Sequence, residues 1–200
     1  MTIDYRNPMH EPTRKRRGSL IVWSAGILLV FLLLLSMLPF IGRPRESANI
    51  VRCASNLRQI GQAALLYANE HGGELPSDLP TILQDEDVTA GVFVCPSSTV
   101  SAATGATTQQ AVASLRAGGH SSYAWTGDGL TSNASADIVL AFDLQMHVAA
   151  DRTVNTSGIN VLLGDGSVTF VNQTAAKAIW AQYHAGVRPI RLSKCTASTT

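Results

Sequence analysis

The sequence predicts an α+β protein in which a long N-terminal helical stretch precedes a small, mostly antiparallel sheet. Residues 20–41 are almost wholly apolar, residues 50–71 repeat apolar side chains at helical spacing, and residues 158–172 alternate around an Asp-Gly turn. Composition narrows the class further. With 46% hydrophobic and 14% charged residues the chain is not disordered, and a net charge of +1 excludes the basic footprint of a nucleic-acid binder.

Residues 1–17 carry a local charge of +3, from Arg6, Arg14, Lys15, Arg16 and Arg17 against Asp4 and Glu11, which leaves −2 for the remainder. Eighteen of the twenty-two residues from Leu20 to Ile41 are hydrophobic, and no charge falls between Gly18 and Gly42. As a helix the run spans about 33 Å, enough for a hydrocarbon core of about 30 Å. A signal peptide would have a shorter apolar region and a small-x-small cleavage site, whereas this run leaves through Pro39, Phe40 and Ile41, so an uncleaved anchor is expected. The heavier basic cluster, Arg14 to Arg17, belongs in the cytoplasm, which puts residues 43–200 outside it.

Past Pro44, the positions Ile50, Cys53, Leu57, Ile60, Ala64 and Ala68 mark one face of an amphipathic helix that ends at His71-Gly72-Gly73. Pro39 and Pro44 between the two helical stretches predict one rod with a kink. Ser77 or Asp78 caps a short helix through Leu83, and GVFVCPSS reads as a brief strand closed by Cys95-Pro96. Residues 97–118, with Gln109 and Gln110 in an ambiguous helical patch, read mostly as a surface excursion. Strands follow at 122–126 and 138–142. Ile159, Val161 and Leu163, then Val168 and Phe170, alternate on either side of Gly164-Asp165-Gly166-Ser167, a strong hairpin signal. Asn172 caps a last helix that closes at Gly186. The expected organisation is therefore a leader (1–17), a transmembrane helix (18–42), an amphipathic helix (43–73), a β-rich domain with a terminal helix (74–186) and a tail (187–200).

Taken in order, the basic cluster with its apolar helix, RCASNLRQIGQAALLYANEHGGELP, FVCPSS, SSYAW, IVLAFDLQMH and NVLLGDGSVTFV resemble the prepilin-like proteins of planctomycete type that carry a His-x9-Asp-Gly processing-associated motif. These are similar to the major pseudopilin of type II secretion. The resemblance runs from about Arg14 to Asn172, and its most specific part is Cys53-x2-Asn56-Leu57-Arg58-Gln59-Ile60-Gly61, with Asp165-Gly166 as the later motif. It implies a pilin-like fold, a single-pass position in a bacterial inner membrane with a periplasmic domain, and a non-enzymatic structural or assembly role. Its implied partners are membrane lipid and other pilin-like subunits or secretion-system proteins.

The chain departs from the pattern twice. Cleavage in such proteins follows a glycine, here Gly18 before Ser19, and a glutamate five positions past it neutralises a neighbour's new amino terminus; Trp23 takes that place. An ammonium unpaired in lipid is costly, so the expectation is an anchor that is not processed and polymerised in the usual way, or an anchored binding or sensing module on the same scaffold. In the second departure, Asn155 stands where the motif histidine would be, while seventeen residues separate His147 from Asp165. The preferred reading is an insertion of about eight residues after His147.

Asp143, His147, Asp151 and Asp165 are the hard-ligand candidates, and the resemblance implies calcium among them. Calcium takes six to eight oxygens. Without an Asp-x-Asp-x-Asp-Gly loop, and with Asp165-Gly166 explained by its turn, no metal or cofactor is expected. His147 reads as a hydrogen-bonded side chain. Cys53 and Cys95 could form a disulfide that pins the helix to the sheet outside the cytoplasm, or remain two buried thiols, with Cys195 left over in either case. No nucleophile elbow, phosphate-binding glycine loop or Cys-x2-Cys pair occurs, so no enzyme is expected.

Overall fold

A computed structural model describes residues 15–37, 43–148 and 157–193. The chain divides into two compact units at Gly42 and Arg43.

The first unit contains helix α1 (Lys15–Met37), whose side chains are described for residues 22–33. Trp23, Ile27, Leu28, Phe31 and Leu33 are all more than half exposed. Among the described residues no helix is long and apolar enough to cross a membrane. The two ends of the expected apolar span, residues 20–21 and 34–41, lie outside the described side chains, as do those of Gly18 and Ser19.

The second unit is an α+β domain. Helix α2 (Arg43–Glu70) is followed by α3 (Leu79–Asp85), a 3-10 turn (Ala90–Phe93), α4 (Thr108–Ala117), strands β1 (Tyr123–Trp125), β2 (Val139–Asp143), β3 (Gly158–Leu163) and β4 (Val168–Asn172), and helix α5 (Gln173–His184). The strands form an antiparallel meander in the order β1-β2-β3-β4. Helix α2 covers one face, with Leu57, Ile60, Ala63 and Ala64 packed among Leu140 and Leu162. Helix α5 covers the other, where Ala175, Ala176 and Ile179 meet Val139, Phe142, Ile159 and Val161. Strand β3 is consequently buried on both faces.

Local chemistry explains the boundaries. Asp78 accepts the amide of Thr81 and caps α3, Thr107 caps α4 through Gln110, and Asn172 caps α5 through Ala175. Helix α2 ends where Gly72 and Gly73 take positive φ of 64° and 92°, and the Gly73 amide returns to the carbonyl of Ala68. The close approach of α2 to the sheet depends on Gly61, where a Cβ would lie 2.7 Å from Leu162 Cδ1.

Two expectations are corrected and one is sharpened. GVFVCPSS is not a strand: Ala90–Phe93 form a 3-10 turn, and this segment meets the start of the sheet through Ser122, whose amide and hydroxyl reach the Phe93 carbonyl and whose Oγ accepts the Cys95 amide. Residues 97–118 lie mostly at the surface as expected, but their ambiguous helical patch is a helix, α4, which buries Val112 and Leu115 against the core that α3 joins. Residues 187–193 are not a tail. Ile190 is fully buried under α5, its carbonyl accepts the Val139 amide, and Arg191 forms an ion pair with Asp137 at 2.8 Å. That bond and those from Ser135 and Ser193 hold the Asp137 carboxyl down at about 2. A single apolar residue between Pro189 and Arg191 carries no period, which is why the sequence pattern missed it.

Substituting Gly61→Leu forces side-chain atoms into the space held by Leu162. The expected result is a loss of about 1–3 kcal/mol, the usual range for overpacking, measured by denaturant unfolding of the full chain in detergent.

Candidate functional site

Four segments converge on a polar cluster beside the α2 face of the sheet. Helix α2 supplies Glu46 and Cys53, the loop after the 3-10 turn supplies Cys95 and Ser97, the end of β2 supplies Asp143 with His147 four residues on, and β3 supplies Asn160. Cys53 and Cys95 are joined as a disulfide with a Cα–Cα distance of 5.0 Å, and both are buried. The link ties α2 to the segment that leads into the sheet.

His147 lies against this disulfide with its side chain fully buried. Its Nδ1 is 2.9 Å from Glu46 Oε1, and its Nε2 is 3.0 Å from Asp143 Oδ2 and 3.8 Å from Cys95 Sγ. Ser97 Oγ donates to both Glu46 oxygens at 3.0 Å. Asp143 Oδ2 also accepts the Asn160 amide at 2.8 Å and Asn160 Nδ2 at 3.0 Å, and that same Nδ2 reaches the Ile50 carbonyl on α2. The second carboxylate oxygen, Asp143 Oδ1, is buried with no hydrogen-bond partner among the described residues.

These surroundings set the protonation of the cluster. Burial alone disfavours the imidazolium of His147, but hydrogen bonds and charge from Asp143 and then Glu46 outweigh it and hold the ring above the usual histidine range. Burial, followed by the Asp143 charge, raises the Tyr123 hydroxyl, which lies 3.5 Å from the Cys53 carbonyl.

The Cys53-to-Gly61 motif divides by role. Asn56 Nδ2 donates to the Val94 carbonyl at 2.9 Å, next to Cys95; Leu57 and Ile60 are core, while Arg58 and Gln59 face outward. Of the hard-ligand candidates, the structure brings together Asp143 and His147. Asp165 is instead exposed in the β3–β4 turn. There bonds from Ser167 lower its carboxyl, and Gly166 supplies the positive φ of 79°. Asp151 and Cys195 lie outside the described residues.

Glu46, Asn160 and Ser122 were missed in the sequence. Glu46 lies 101 positions from His147, a separation that no local spacing reveals. The available signal for Asn160 was a polar residue inside an apolar strand. The ligand atoms of Cys53, Cys95, Asp143 and His147 all lie within 4.8 Å of one another; with the sulfurs bonded, the thiolates a metal would need are not present. Comparison of the chain with protein-family models, curated proteins and solved structures finds no match.

Two stability predictions follow from this geometry. The disulfide spans 42 positions. Replacing both cysteines with alanine is expected to remove about 4 kcal/mol in the chain-entropy account, read from denaturant midpoints. Because the His147 pKa is raised on folding, its contribution is fully present below about 6.5, the unfolded histidine value, and disappears as pH rises through the folded value. The thermal midpoint should therefore fall as pH rises above about 6.5, and His147→Gln should flatten that fall.

Proposed function

We propose that this chain is a membrane-anchored, non-enzymatic pilin-like subunit whose residues 20–41 lie in a bacterial cytoplasmic membrane and whose 43–193 domain lies outside the cytoplasm. The observation that carries the reading is the buried Cys53–Cys95 disulfide within a domain that begins immediately after the apolar run. Such bonds persist in oxidising compartments. The long helix α2 laid across an antiparallel meander is the arrangement that the resemblance implies.

The motif spacing adds support. His147 and Gly158 are bridge partners, each bonding the other's backbone, so the intervening chain leaves and returns at one point. Removing about eight residues there would leave a two-residue hairpin turn and restore the His-x9-Asp-Gly count. In this role the apolar helix is both the contact with membrane lipid and the packing surface for other pilin-like subunits or secretion-system proteins. A second reading, a permanently anchored binding or sensing module, is favoured by Trp23, since the usual glutamate is the group that would pair with a neighbour's amino terminus.

Topology and assembly are tested together. In spheroplasts an impermeant maleimide should label Cys195 directly, and a His10→Cys variant at its new thiol only after permeabilisation; the reverse pattern overturns the orientation. A Val30→Cys variant in a Cys195→Ser background, oxidised in membranes, should give covalent dimers through the apolar helix if subunits assemble. A chain that stays monomeric while holding a soluble partner decides for the binding module.

A further inference from the structure

The anchored-subunit reading makes no use of the polar cluster behind the disulfide, and the composition of that cluster points to a ligand. Two sulfurs, one imidazole nitrogen and one carboxylate converge from α2, the loop after the 3-10 turn and the end of β2, all buried. In a tetrahedral zinc site, bond lengths of about 2.0–2.3 Å place ligand atoms roughly 3.3–3.8 Å apart. His147 Nε2 already stands 3.8 Å from Cys95 Sγ and 3.0 Å from Asp143 Oδ2.

Two further observations fit a metal. Glu46 Oε1 holds His147 Nδ1 at 2.9 Å, the carboxylate–histidine relay that orients a ligating imidazole, and Nε2 faces Asp143 Oδ2 and the Cys95 sulfur, the two groups with which it would share a metal. Asp143 Oδ1 is an acceptor without a partner among the described residues, in a buried carboxylate. A group in that position is expected to have a partner.

We propose that Cys53, Cys95, Asp143 and His147 form a thiol-gated site for a soft divalent cation, zinc in the first instance. The site is closed while the two sulfurs are bonded to each other and opens when they are reduced. A dithiol gives two electrons and two protons to the disulfide and leaves as its own cyclic disulfide; zinc then displaces to solvent both thiol protons and the proton held between His147 Nε2 and Asp143 Oδ2, and binds the two thiolates, the freed Nε2 and the carboxylate. Sulfur and imidazole ligands select zinc over calcium, which takes oxygen. Two thiolates and one carboxylate around the dication leave one negative charge, the same as a Cys3His structural zinc site. Glu46, whose side chain is 29% exposed, marks the side on which the cluster meets solvent.

The test uses cobalt as the probe, with the full chain in detergent and Cys195→Ser as background. After reduction with a dithiol and its anaerobic removal, cobalt titration should produce a thiolate-to-cobalt charge-transfer band and intense tetrahedral visible bands, both bleached by zinc. The oxidised chain should show neither. His147→Ala and Asp143→Asn should each weaken binding at least about 10-fold, and Glu46→Gln, a rim residue less prone to unfold the domain, by about 10- to 100-fold. Zinc should also raise the thermal midpoint of the reduced chain alone. The proposal is overturned by a reduced chain with no charge-transfer band, by bands unchanged in the His147, Asp143 and Glu46 variants, or by equal bands in the oxidised chain.

Discussion

A histidine ring wholly removed from water, with a carboxylate on each nitrogen, is the contact on which the arrangement of the domain depends. Through His147, the first turn of α2 at Glu46 is held to the end of β2 at Asp143, and Asp143 in turn holds Asn160 on β3. Once His147 is protonated, removing any one partner leaves a charge buried without its counterpart, which is far more damaging than the net stability of the pair suggests. The cluster therefore fixes register, whatever else it holds. It admits one placement of α2 along the sheet, and the disulfide at Cys53, seven positions after Glu46, fixes the same helix a second time.

The two faces of the sheet divide the remaining work. On the α2 face the packing is close and partly polar, since Gly61 admits Leu162 and Asn160 occupies a strand position between apolar neighbours. The α5 face is apolar, built from Ala175, Ala176 and Ile179 against alternating strand residues, and closed by Ile190. A strand with helices on both faces has no solvent side, so β3 is buried at every position although its sequence reads as a simple alternation.

How much of this was legible follows from the range of each interaction. Caps, glycine stops and the Asp165-Gly166 turn are local, so Asp78, Asn172 and the end of α2 could be read directly from neighbouring residues. The 3-10 turn at Ala90–Phe93 could not, because its apolar run fits a strand equally well and the Phe93 carbonyl is met by Ser122, far along the chain. Helix α4 carries two buried residues in ten, too few to set a period against its Ser-, Thr- and Gly-rich flanks. Within the site, Asp143 and His147 stood out as ionisable residues four apart, whereas Glu46 and Asn160 acquire meaning only when α2 and β3 are brought beside them. The Cys53-to-Gly61 block was visible as a pattern before each of its residues had a reason.

A pinning role for the disulfide accounts for Cys53, Cys95 and Asn56, but it does not account for their neighbours. A scaffold core at this point would be as stable with apolar side chains of similar volume, and replacing buried ion pairs in that way is often neutral or stabilising. Here the fold instead retains a buried imidazole, a buried carboxylate and a carboxylate oxygen with no partner among the described residues. An unsatisfied buried acceptor alone costs about 1–3 kcal/mol, comparable with much of what one disulfide contributes. Placed beside the two sulfurs, this polar group is more naturally understood as serving something that binds there than as part of the packing.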